Sequence, residues 1–246
     1  MLLKQGALFY NLDGLRYRVI YNNRPIGENM AAAPINWSTA HEFFHIFECI
    51  PPWIDWQSKQ RSSPDITEAT RAGINFSIIL AAACYVEGNF ENILLKNINR
   101  AGTTAELLQA RLLEDLRSRV TKTTGSEGYN EIFELVVGKK ANELVGDAEL
   151  WENIKTLFFF RNVIAHGRAI GYKLFFPPGV GGFWEEEFVG GYKKVEDFLL
   201  KKKLLDSRHI EDGNDWHYFS DGVADFFWTA TVAFLNKLEK AALPPA

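Results

Sequence analysis

Residues 65–99 read DITEATRAGINFSIILAAACYVEGNFENILLKNIN, and the spacing of apolar residues in this stretch decides the fold class. Ala72, Phe76, Ile79, Ala83, Val86, Phe90 and Ile93 follow an unbroken 4-3 repeat, the seam of a helix that packs in a bundle. Asp65 or Thr67 starts this helix and it runs to about Asn99, roughly 50 Å at the usual helical rise. Glu87 and Glu91 are four apart and adjoin the seam; taken alone, they make a solvated acidic face.

The helices that close on this seam lie downstream. Residues 104–120, TAELLQARLLEDLRSRV, predict a helix with Leu107, Leu108, Leu112, Leu113 and Leu116 inward and a surface Glu114/Arg117 pair. A polar turn over 121–127 and a short helix from Tyr129 to Val137, ending at Gly138, come next. Residues 147–169 then read DAELWENIKTLFFFRNVIAHGRA. Asp147 is placed to cap this helix, and Glu149 puts negative charge in its first turn, where the helix dipole favours it. Leu150, Ile154, Leu157/Phe158 and Ile164/Ala165 share one face, and Arg161 occupies a position on that same stripe. A cation on a core face needs a partner or a task. Asn162 and His166, four apart, share an adjoining face; His166 falls about 140° around from Arg161 on an ideal helix. A last helix is expected from Trp216 to about Ala241, capped by Asp215, with Phe219, Val223, Phe226, Ala230 and Phe234 on one side.

The stretch Arg161-Asn162-Val163-Ile164-Ala165-His166-Gly167 resembles the R-N-x-x-x-H form of the Arg-x4–6-His motif of the HEPN superfamily (higher eukaryotes and prokaryotes nucleotide-binding). The small residue before His166 and the glycine after it look like that family as well. So does AAACYVEGNFENIL, which is similar to the first long helix of many HEPN domains. The resemblance covers about 65–241 and implies a mainly α fold, a four-to-five-helix up-and-down bundle. It further implies a homodimer in which two motifs meet, and a metal-independent ribonuclease that needs no cofactor. Arg161, Asn162 and His166 would then be catalytic, and Glu87 would orient or neutralise Arg161. HEPN-like bundles also serve as noncatalytic dimerisation, nucleotide-binding or RNA-binding modules, in which Arg161 would be a structural ion pair with Glu87. A toxin or defence role, with an antitoxin or another protein as partner, would follow from the same analogy.

Two regions depart from the family pattern. In the first, residues 1–60, ALFYNLDGLRYRVIY (7–21) reads as a β-hairpin about Asp13-Gly14, followed by a loop over 22–36. A short helix from Ser38 or Thr39 to about Ile50, stopped by Pro51-Pro52, completes an extension packed on the 61–246 domain, with 51–66 as a connector. That helix holds His41-Glu42-Phe43-Phe44-His45, a match to H-E-x-x-H. Its two histidines share a face and suit zinc, with Glu42 as general base of a hydrolase. No third histidine follows at metzincin spacing, and the aromatic content favours a docking helix. The second departure is a Gly-rich β/loop insertion at about 171–215. In it Tyr172 to Phe176 is strand-like, and PPGVGG lacks the G-K-S/T of a P-loop. The helix 192–205 ends in Lys201-Lys202-Lys203, with Arg208 close by. This basic cluster is either a solvated face or an RNA-phosphate contact.

The 246 residues carry a formal charge of −4, so RNA would need a local basic patch rather than a global electrostatic footprint. Nineteen Phe, 8 Tyr and 7 Trp predict a bulky core or a sizeable buried interface. Cys49 and Cys84 are expected to be reduced, buried thiols. The N-terminus lacks a cleavable signal pattern, and the apolar run Ile74 to Val86 is short for a bilayer. The expectation is a cytoplasmic protein without membrane contact.

Overall fold

Helix α2, Glu68–Gly102, runs through the middle of the structure, a computed structural model that describes residues 46–102, 107–165, 171–175, 183–187, 192–205 and 215–243. The chain divides into two compact units, Met1–Phe43 and Phe44–Ala246, and every described residue belongs to the second. The hairpin expected at 7–21 and the H-E-x-x-H stretch lie outside the described residues.

The protein is mainly helical. A 3-10 turn, Ile46–Cys49, leads into α1, Ile50–Arg61. After α2 come α3, Leu107–Val120; α4, Ser126–Val137; α5, Ala141–Val145; and α6, Ala148–Ala165. Strands β1, Gly171–Phe175, and β2, Phe183–Glu187, pair antiparallel with Gly171 opposite Glu187 and Phe175 opposite Phe183. Helix α7, Tyr192–Lys201, a second 3-10 turn, Asp215–Phe219, and α8, Asp221–Ala242, complete the bundle.

Helix α2 packs most extensively against α8 and also meets α1, α3, α4 and α6. With neighbours on so many sides, its buried stripe is wider than a two-helix seam. Asn75, Ile78 and Ala82 join Ala72, Ile79, Ala83, Val86, Phe90 and Ile93 in the interior. Phe76, expected in the seam, lies at its edge and rests on Phe219, with ring centroids 5.5 Å apart. One 18-residue window of α2 has a mean hydropathy of 1.4, so by length and composition this helix qualifies to cross a membrane. Here that apolar surface is the one on which the other helices pack. Gly88 has a specific use: a Cβ there would come within 2.6 Å of the Phe47 ring, so the glycine admits the Ile46–Cys49 turn onto α2.

Other expectations need correcting. Pro51 and Pro52 do not stop a helix; they begin α1, occupying its first turn, where a missing N–H costs nothing. The 51–66 connector is therefore mostly helix, with Ile54 buried and Trp56 exposed. The last helix is broken at Ser220, whose hydroxyl accepts from the Val223 amide, so Ser220 rather than Asp215 is the cap. Leu108 and Leu112 of α3 face solvent, because the helix touches α2 and α4 along a narrow line through Leu113, Leu116 and Val120. Both cysteines are exposed rather than buried. Cys84 stands beside the seam residue Ala83 but on the outer side of α2.

Asp147 does cap α6: its Oδ1 accepts from the Leu150 amide at 3.1 Å. Gly138 ends α4 in the left-handed conformation at φ 82°, as the sequence leads one to expect.

Candidate functional site

Arg161 stands on the α6 face turned toward α2, and the fold answers it with a carboxylate. Its Nη2 donates to Glu87 Oε1, joining the motif helix to the central helix. The side chains are 18% and 23% exposed, so the pair is largely withdrawn from water but reachable. The guanidinium carbon lies 5.7 Å from the centre of the Phe158 ring. Arg161 Nε is buried with no hydrogen-bond partner among the described residues. Among the described residues, the cation is thus neutralised on one edge and has an unused donor on another.

Electrostatics around the pair are set by burial. Desolvation pushes the Glu87 carboxyl above its ordinary pKa, while Arg161 and the Gly125 backbone amide pull it down. Tyr129 on α4 is pushed up strongly, first by burial and then by the Glu87 and Glu91 carboxylates. Cys84, one turn before Glu87, is exposed; desolvation and the Glu87 charge nevertheless hold its thiol above the usual value. None of these groups is a poised nucleophile at neutral pH. The chemistry on offer is a fixed guanidinium, held by a carboxylate that burial biases toward its protonated form.

No protein-family model, curated protein or solved structure matches this chain.

The structure brings Arg161 and Glu87 together and leaves Asn162 half-buried one position further along α6. His166 lies outside the described residues, as do His41, Glu42, His45 and Arg208. Among the described residues no group of three or more His, Cys, Asp or Glu is placed to hold a metal ion. The basic cluster is partly engaged: Lys201 Nζ is 3.6 Å from Glu152, and Lys202 pairs with Glu149, both partners on α6. Lys203 closes α7 in the left-handed conformation at φ 57°. Its amide reaches Leu200 O at 2.9 Å and the Leu204 amide reaches Leu199 O at 2.9 Å, the bond pattern of a Schellman cap.

Two features escaped the sequence reading. One is a buried polar network in which Arg61 donates to Asn75 Oδ1 at 2.9 Å and pairs with Asp225. Asn75 donates in turn to Phe219 O and Asp221 Oδ1, both at 2.8 Å. A polar residue inside the apolar run 74–86 was the available signal. The other is a hollow of about 320 Å³ between α6 and α7, with Phe159 exposed in it. Its components come from segments some 40 residues apart, and no local pattern links them.

Proposed function

We propose that this protein is a metal-independent endoribonuclease of HEPN type, acting as a homodimer with Arg161 and His166 of each copy at the centre. The observation that carries this reading is the Arg161–Glu87 pair. The motif arginine stands on the side of α6 that meets the long helix, held by the acidic residue that the resemblance singles out. In the proposed reaction a base removes the proton of a ribose 2′-OH, and that oxygen attacks the adjacent phosphorus. The 5′-oxygen leaves with a proton from an acid, giving a 2′,3′-cyclic phosphate and a 5′-hydroxyl. Histidine has the right ordinary pKa to move these protons. Arginine supplies the positive charge and planar fork that steady the phosphorane oxygens. Glu87 holds the guanidinium in place, and the arginine's side chain, 18% exposed, stays reachable by a phosphate.

The test is RNA cleavage by the purified chain, His166→Ala and Arg161→Ala, with EDTA present and metal content determined alongside. Activity that survives EDTA and falls at least about a hundredfold in each variant supports the reading. Cleavage that stops on chelation moves the activity to the His41, Glu42 and His45 stretch.

The same ion pair favours a second reading. A neutralised arginine between two core helices is also what a noncatalytic HEPN-like dimerisation or RNA-binding module would hold. In that case RNA stays intact in the assay, and Arg161→Ala lowers stability without changing any reaction. Toxin or defence activity, with a protein antitoxin, is carried only by the family analogy.

A further inference from the structure

Helix α6 is buried on nearly every side, and its aromatic residues Trp151, Phe158 and Phe160 are all interior. Phe159 is the exception at 38% exposed. Lys155, Phe159 and Asn162 follow one another at 4-3 spacing, so they share a face of α6. Helix α7 packs beside that helix and brings Lys194 to within 5.0 Å of the Phe159 ring centre.

The local charge balance differs from that of the whole molecule. Two carboxylates line the hollow, and both are answered: Glu152 by Lys201 at 3.6 Å, and Asp197 by Lys193 at 3.1 Å. Lys155 and Lys194 have no carboxylate partner among the described residues. An exposed aromatic ring with Lys194 over it and Lys155 lining the same hollow, neither with a carboxylate partner among the described residues, is therefore set into a protein whose formal charge is −4.

We propose that this hollow is a stacking site for a base of single-stranded RNA, with Phe159 as the platform and Lys155 and Lys194 as contacts to the flanking phosphates. The chemistry fits: every base offers a π-face to an aromatic ring, and lysines that follow the backbone supply the charge. Lys194 stands 5.0 Å from the ring centre, so a base that takes its place over the ring leaves its ammonium beside the flanking phosphate. The inference deepens the function proposed above and rests on it for the choice of RNA as ligand.

The experiment measures binding of a short labelled oligoadenylate to the full chain carrying His166→Ala, which keeps the RNA whole. Adding Phe159→Ala is expected to weaken binding about five- to hundredfold, and Phe159→Trp to preserve it. Adding Lys194→Glu is expected to weaken binding and to flatten its dependence on salt. Phe159 is exposed, so an unchanged melting temperature checks that the variant is folded. Phe159→Ala binding as tightly as its background, or no binding by the background itself, overturns the proposal. The two proposals fail separately. Wild type that binds through Phe159 yet leaves RNA uncut keeps the stacking site and discards the ribonuclease. Cleavage that persists with binding indifferent to Phe159 does the reverse.

Discussion

Arg61 and Arg161 obey the same rule, that a cation turned toward a core must be met by acceptors, yet only one of them was legible in the sequence. Arg161 interrupts an apolar stripe that can be counted, and Glu87 adjoins the seam of the other long helix; their meeting follows from packing the two stripes together. Arg61 ends a segment whose Pro-Pro start reads as a helix stop, so its pairing with Asn75 and Asp225 has no local sign. Its energetics can be divided. Asp225 is 57% exposed, so its ion pair contributes little, whereas Asn75 Oδ1 is buried and loses its donor when Arg61 is removed. Arg61→Met, which keeps the aliphatic packing, is expected to cost about 1–3 kcal/mol in urea unfolding. Asp225→Asn should cost less than about 1 kcal/mol. Equal costs would transfer the stabilisation from the amide to the ion pair.

At the level of elements, periodicity located most helices, but their ends were decided by chemistry at single residues. Pro51-Pro52 begins α1 because the first turn of a helix has amide groups to spare. Ser220 restarts the chain as α8 because its hydroxyl accepts an amide that would otherwise be orphaned. Asp147 was readable as a cap, but its second attachment was not: Oδ2 accepts from Lys237 Nζ at 2.7 Å, tying the start of α6 to α8. The Lys237 hydrogen bond, and then the Leu150 amide, hold the Asp147 carboxyl below its usual pKa. A depressed carboxylate contributes stability that is present above its unfolded pKa and lost as pH falls through the folded one. Asp147→Ala is therefore expected to lower the melting temperature by about 2–4 °C at neutral pH. The gap from wild type should close as the solution is acidified below the carboxylate range. A gap that stays constant with pH would show that the lost contribution is packing rather than charge.

For the molecule as a whole, the abundance of aromatic residues predicted a bulky interior, and the structure shows where it converges. Phe90 of α2 has Tyr129 and Phe133 of α4 at 5.0 and 5.4 Å, Phe234 of α8 at 5.9 Å and Phe158 of α6 at 6.4 Å between ring centres. Four helices thus meet on one fully buried ring, one turn beyond Glu87 and beside the arginine's neighbour Phe158. The convergence was not legible beforehand, because the spacing within each helix fixes which residues face inward but not which rings from different helices meet. It couples the candidate site to global stability. Phe90→Ala removes a large buried side chain from a close-packed place and should cost about 3–5 kcal/mol. That is a large share of the roughly 5–15 kcal/mol that holds a typical domain folded. Phe90→Leu, which refills most of the volume, should cost clearly less. Urea unfolding followed by far-ultraviolet circular dichroism and by tryptophan fluorescence checks both variants, with the two signals expected to move to lower urea together. A Phe90→Ala protein that unfolds at the wild-type midpoint would mean that the helices are held together elsewhere, and that the Arg161–Glu87 site does not depend on this ring.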